Sequence, residues 1–245
     1  MVKISEEKNE LHISPPVMLC DNVLSDKIPY PLPSRNHILV ICAPPGGGKT
    51  SSMVSLLTSR GANKAYRKVF ENVFFVMPPN SRASLQGSLF EKHDPEKIYD
   101  ELTHDVLIDI HKKLKEEASE GYNSLVILDD VGGMLKVKSN EILLRDMVFN
   151  HRHLRTSFWI LQQTYTSLPL SIRKCITHLM MFAGCMKNKK EYQSIFEELI
   201  DMDKQLADQV VQYVFKSKNK HDFIFLDRTD REVFRNFNKL LIDDE

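Results

Sequence analysis

The run Ala43-Pro44-Pro45-Gly46-Gly47-Gly48-Lys49-Thr50-Ser51 holds the residue types needed to grip a phosphate chain. Three consecutive glycines let backbone N–H groups converge without Cβ obstruction. A helix opening near Lys49 would add partial positive charge at its N-terminus. The Lys49 ammonium supplies a full charge to the β- and γ-phosphates, and the Thr50 hydroxyl offers a ligand to Mg²⁺. Pro45, Gly46, Gly47, Gly48, Lys49, Thr50 and Ser51 are therefore the expected nucleotide-binding residues. The first glycine of the usual phosphate-loop pattern is replaced here by Ala43, the smallest alternative.

A second constellation is Ser124-Leu125-Val126-Ile127-Leu128-Asp129-Asp130, an apolar run ending in two carboxylates. In an open α/β sheet, ligands sit at the carboxyl ends of the strands. Asp129 is then placed to hold Mg²⁺ through water, and Asp130 to orient or deprotonate an attacking water. The plainer reading is a turn or helix cap after a strand. A third run, Phe158-Trp159-Ile160-Leu161, leads into Gln162-Gln163-Thr164. Buried amides are costly unless bonded. Strand alternation sends Gln162 and Gln163 to opposite faces, so only one can contact a γ-phosphate or its water.

These motifs need strands and helices to carry them. Apolar runs at 37–42, 72–77, 124–128, 157–161 and 178–182 read as strands buried on both faces. A late strand at 222–226 is expected at the sheet edge. Helical patterns fall at 50–60, around Val106 to Leu114, after Asn140, and at 189–200, 203–215 and 230–242. Alternating strands and helices imply a mostly parallel α/β sheet flanked by helices. Residues 1–36, rich in proline and polar side chains, read as an extended arm ahead of a domain spanning 37–245.

Composition sets limits. Lys plus Arg and Asp plus Glu number 33 each, which excludes a strongly basic coat but leaves room for a local basic stripe. Cys20, Cys42, Cys175 and Cys185 show no CxxC spacing and suit a reducing compartment. The charged N-terminus lacks the apolar segment of a secretory signal, and no apolar run is long enough to span a bilayer.

Taken together, APPGGGKTS, VILDDVGG and FWILQQTYTSLPLSIRKC resemble the FtsK-HerA superfamily of DNA-pumping ATPases, and within it the viral genome-packaging branch of poxvirus A32-like ATPases. The short chain and the wording of its motifs also look like the packaging ATPases of virophages. The resemblance covers about residues 35–240. It implies a RecA-like P-loop fold, ATP and Mg²⁺ as nucleotide and cofactor, and hydrolysis between subunits of a ring, usually a hexamer. It makes Lys49, Asp130 and Gln163 catalytic and gives Thr50 and Asp129 to the metal. Gln163 is preferred over Gln162 because it precedes the Thr-Tyr-Thr-Ser-Leu-Pro loop. An arginine supplied to the neighbour's site is also implied, with Arg152 and Arg155 favoured over Arg173.

The implied partners are double-stranded DNA gripped without sequence preference, further copies of the chain, and a capsid vertex or membrane-associated capsid proteins. The implied setting is the virion or the cytoplasm of the infected host. Lys187-Asn188-Lys189-Lys190 and Lys216-Ser217-Lys218-Asn219-Lys220 are candidate DNA-backbone contacts or simply solvated turns. Three other readings compete: a P-loop nucleotide kinase, a nucleotide-switched capsid assembly protein, and a AAA+ remodeller. Paired aspartates on one strand followed by glutamine on the next suit water activation better than phosphoryl transfer to a second nucleotide.

Overall fold

A computed structural model describes residues 23–83, 85, 89–91, 93–217 and 219–242. Its strands are β1 (Ile38–Cys42), β2 (Asn72–Val76), β3 (Ile98–Tyr99), β4 (Ser124–Asp129), β5 (Thr156–Gln162), β6 (His178–Phe182), β7 (Phe223–Asp227), β8 (Glu232–Arg235) and β9 (Asn238–Lys239). Its helices are α1 (Lys49–Thr58), α2 (Pro79–Ala83), α3 (His104–Ser119), α4 (Lys138–Phe149), α5 (Leu170–Arg173), α6 (Lys189–Ile200) and α7 (Lys204–Phe215). The described strands form one sheet in the order β3-β2-β4-β5-β1-β6-β7-β8-β9. Pairing is parallel from β3 to β6 and antiparallel from β6 to β9. This is the mostly parallel, helix-flanked sheet that the strand–helix alternation implies.

The central strands β1, β4 and β5 are buried at every position because both faces are covered. On one face Val40, Leu128 and Ile160 pack with α3, α4, α6 and α7. On the other, Ile41, Ile127 and Leu161 meet Met53 and Leu56 of α1, together with Tyr66 and Phe70. A side chain as fully buried as Met53 contributes about 1.5–3 kcal/mol. Burying one stripe of α1 thus fixes the helix that must carry Lys49 and Thr50.

Two expectations are corrected. The segment 230–242 is not a helix but the hairpin β8–β9. Val233 packs on one face of the sheet and Phe234 on the other, which suits a strand and not a helical stripe. Asn236 and Phe237 have φ of 50° and 70°, which closes a turn where a helix would have to continue. The late strand β7 is not an edge, since β6 and β8 pair with its two sides.

Of the proline-rich arm, residues 1–22 lie outside the described residues. The part from 23 to 36 folds back on its own domain. Leu24 N donates to Ser34 O at 2.7 Å, and Ile28 and Leu32 are buried in the α1-side core.

The entrance to β1 is fixed by His37. Its Nδ1 donates to the Arg35 carbonyl at 2.8 Å, and its Nε2 accepts from the Trp159 indole at 2.9 Å. Both nitrogens are thus used by the neutral ring. Burial, with the nearby His178, lowers the His37 pKa to about 3. The unfolded histidine binds its proton first, so this group's stabilisation is complete above about pH 6.5 and lost as pH falls toward 3, at about 1.4 kcal/mol per pH unit. Denaturant unfolding between pH 7 and pH 5 should show this slope. His37→Gln, which keeps an acceptor for Trp159 but cannot titrate, should flatten it by up to one proton, and equal slopes would contradict the assignment.

Candidate functional site

The carboxyl ends of β4, β5 and β1 lie side by side, so the three sequence motifs meet at one end of the sheet. The loop between β1 and α1 is held by short backbone bonds. Ala43 N donates to Gln162 O at 3.1 Å, and Gly47 N to Pro44 O at 2.9 Å. Gly48 adopts φ 108°, a left-handed conformation that glycine accepts without strain. A Cβ at Gly47 would lie 2.9 Å from both the Pro44 carbonyl oxygen and Ala43 Cβ, so the turn closes only on glycine.

α1 starts at Lys49 without a side-chain cap and without an acidic residue in its first turn. α3, α6 and α7 by contrast are capped by Thr103, Asn188 and Asp203. The first-turn N–H groups of α1 are therefore left for an external acceptor. Lys49 Nζ donates to Ala43 O at 2.6 Å, arched back over the loop. These features fit a phosphate chain: a glycine-only turn, open helix amides and an ammonium above them.

Asp129 is 3% exposed at the end of β4, and its Oδ2 accepts from Thr50 Oγ1 at 3.1 Å. Burial pushes its carboxyl above the usual carboxylate range, opposed by the Thr50 bond and the Lys49 charge. A buried carboxylate beside a hydroxyl and a phosphate cradle fits Mg²⁺, which takes one or two protein oxygens and completes its octahedron with water and phosphate. Among the described residues no cluster of three or more His, Cys, Asp or Glu could hold a metal on its own. Asp130, the next residue, is exposed and has φ 57°. This left-handed residue ends the strand alternation at Asp129.

The two glutamines separate clearly. Gln162 is 4% exposed and follows the parity of Phe158 and Ile160, away from α1. Its Oε1 accepts from Ser167 Oγ at 3.1 Å, and its Nε2 is buried without a partner. A Cβ on Gly132 would lie 2.7 Å from that Oε1, so the segment after Asp129–Asp130 passes directly over Gln162. Gln163 is exposed beyond the strand, and its carbonyl accepts from Cys185 Sγ at 3.3 Å.

The arginines lie elsewhere. Arg152 and Arg155 precede β5, at the amino end of the sheet. β5 has 7 residues, so they stand roughly 20 Å from their own phosphate loop. Arg173 is engaged internally, 3.3 Å from Glu198 and over the Tyr165 ring. The basic segments both lie at the phosphate-loop end, since Phe182 and Phe223 pair in register. Lys189 is bonded to Asp208 at 2.6 Å, while Lys187 and Lys190 are exposed. Lys218 lies outside the described residues.

Sequence reasoning missed the neighbours that brace the loop. A Cβ on Gly184 would meet Pro44 Cγ at 2.3 Å, and one on Gly48 would meet the Phe182 ring at 3.3 Å. Only the glycine at 184 hinted at this approach. Gly47→Ala should weaken nucleotide binding about tenfold or more, as roughly 1–2 kcal/mol of loop strain implies. Titration with a fluorescent nucleotide checks it, and unaltered affinity would mean that this loop is not the cradle.

No curated protein matches the chain. Among solved structures, the DNA-packaging ATPase B204 of Sulfolobus turreted icosahedral virus superposes with a TM-score of 0.56 at 14% identity, over 85% of this chain and 99% of that one. The genome packaging NTPase B204 of Sulfolobus turreted icosahedral virus 2, in complex with ATP-γS, gives 0.51 at 15% identity, over 82% and 96%. The pCW3 conjugation coupling protein TcpA gives 0.50 at 12% identity, over 86% of this chain and 62% of that chain. At such identities these likenesses concern the fold alone. The model of the family described as poxvirus A32 protein matches residues 31–234, nearly the whole described chain, and the protein belongs to that family.

Proposed function

We propose that the chain is the ATPase subunit of a ring-shaped motor, in the hexameric form its motifs resemble, that drives double-stranded DNA into a viral capsid. The observation that carries this reading is the convergence of Lys49, Thr50 and Asp129 at one end of the sheet, the Thr50 hydroxyl bonded to the buried Asp129 carboxylate. Membership of the poxvirus A32 family and the fold shared with packaging ATPases support the extension to genome packaging.

Each residue has a role in this reading. The N–H groups of Gly46, Gly48 and the first turn of α1 donate to the phosphates, and Gly47, whose N–H is held by the Pro44 carbonyl, closes the turn around them. Lys49 exchanges the Ala43 carbonyl for phosphate oxygen. Thr50 and Asp129 would hold Mg²⁺, which when bound neutralises phosphate charge. Asp130, exposed at the mouth, orients water. Gln163, exposed just beyond β5, reports the presence of the γ-phosphate. Arg152 and Arg155 are a strand's length from their own loop and can complete only a neighbouring subunit's site. Exposed lysines at 187, 190, 216 and 220 are the contacts to the DNA backbone, giving sequence-indifferent, salt-sensitive binding. The setting is a virion or an infected cell, with capsid proteins as docking partners.

Lys49→Ala should lower ATP turnover by at least about 10²-fold, on the scale of losing one transition-state donor. Undiminished phosphate release would sink the reading. Hydrolysis on size-fractionated protein should be stimulated by double-stranded DNA in a ring-sized fraction, and the stimulation should fade between about 50 and 200 mM salt. A phosphorylated nucleoside monophosphate among the products would point to a kinase instead.

A further inference from the structure

The phosphate loop and the acidic end of β4 engage only the tail of a nucleotide. The sheet sets where the rest must go. Asp129 lies on the β4 side of the loop, whereas Gly48 packs against Phe182 at the end of β6, on the opposite side of β1. A phosphate chain whose far end lies between Thr50 and Asp129 therefore leaves the loop past Gly48 and Ser51, over β6 and β7.

A cavity of about 260 Å³ opens at that point. One wall carries Phe182, Phe223 and Phe237, and the other Ser51, Ser52 and Ser55 of α1, the Ser55 hydroxyl lying 3.1 Å from Ser59 Oγ. Its size suits a base and not a whole nucleotide, since complete ligand pockets run to about 300–1,000 Å³. The rings brace one another. Phe182 and Phe223 have centroids 5.4 Å apart at 50°, and Phe223 and Phe237 4.9 Å apart at 70°.

Phe237 is the unusual member. It sits with φ 70° in the second central position of the β8–β9 turn, where glycine or asparagine would be relaxed and a bulky ring is strained. The turn is held by Asn236. Its Oδ1 accepts from Phe223 N at 2.9 Å, its backbone N donates to Phe223 O at 3.2 Å, and its Nδ2 donates to Asp222 Oδ1 at 2.7 Å. The same ring also packs on Phe225, with centroids 5.4 Å apart at 70°, so core packing and the turn together hold this half-buried aromatic at the cavity wall.

We infer that this cavity is the nucleobase subsite, that it takes the purine ring of a nucleoside triphosphate, and that it separates adenine from guanine only weakly. The inference rests on the phosphate-loop reading. The aromatic wall offers a stacking surface that any base can use and that the larger purine uses best. The polar lining is the three serines and the exposed His221. A serine hydroxyl rotates to donate or accept, so it meets a 6-amino or a 6-oxo group equally. Among the described lining residues there is no side-chain amide or carboxylate that one purine would leave unpaired.

The test compares binding of ATP, GTP, UTP and inorganic triphosphate to the full chain by calorimetry. The wild type should bind ATP and GTP within about tenfold of each other and UTP more weakly. Phe223→Ala should weaken ATP and GTP by about tenfold or more, the usual scale of a lost stacking contact, and inorganic triphosphate by less than about twofold. Ser52→Tyr, which fills the cavity from a half-buried position on α1 outside the core clusters, should reproduce this selective loss. Parallel losses for triphosphate, no loss for either purine nucleotide, or a preference between ATP and GTP above about tenfold would each overturn the subsite. Failure of the wild type to bind inorganic triphosphate would instead overturn the phosphate loop beneath it.

Discussion

The hydrogen bond from Thr50 to Asp129 ties together the two elements on which the site depends. It joins the first turn of α1 to the end of β4, across a sheet in which β5 stands between β4 and β1. A carboxylate with so little contact with water is costly to keep charged, and here a single hydroxyl and a nearby ammonium offset that cost. Much of the surrounding packing serves to hold these two groups at bonding distance. Met53 and Leu56 fix α1 against the sheet, and the fully buried β4 fixes the carboxylate.

Parallel pairing explains why chemistry gathers at one end. β1, β4 and β5 all finish on the same side, so whatever follows each strand is delivered to a common crevice. The other end of the sheet is occupied differently, by His37, Trp159 and the His178–Asp227 pair. That polar network seats β1 and β5 in register, which in turn sets the height of the phosphate loop above Gln162. The helix faces divide the same way. On one face α3, α6 and α7 have N-termini closed by side-chain caps, and the uncapped α1 on the other face points its free amides at the crevice.

Local chemistry made much of this legible in the chain. Three glycines before Lys-Thr, or two aspartates after four apolar residues, state their purpose because no other arrangement uses them so economically. The continuous apolar runs identify the parallel strands for the same reason, being wet on neither face. The segment 230–242 misled because Val233, Phe234 and Phe237 can be drawn as a helical stripe, which the opposite facing of Val233 and Phe234 and the positive φ values of Asn236 and Phe237 exclude. The glutamine pair was legible as an alternation but not as a set of contacts. That Gln162 lies beneath Gly132 and Ser167 depends on how two loops close over a strand end. The packing of Gly184 on Pro44 and of Phe182 on Gly48 belongs to the same class, a long-range approach that leaves only a glycine or an aromatic as a trace.

The sheet ends on both sides in strands of two residues, β3 at one margin and β9 at the other. A margin so short exposes few unpaired backbone groups, and β9 adds the charged Lys239, bonded to Glu232 across the hairpin. Such borders resist recruitment of another copy by strand addition. A second copy brought against either border would meet side chains rather than a backbone ladder open for pairing.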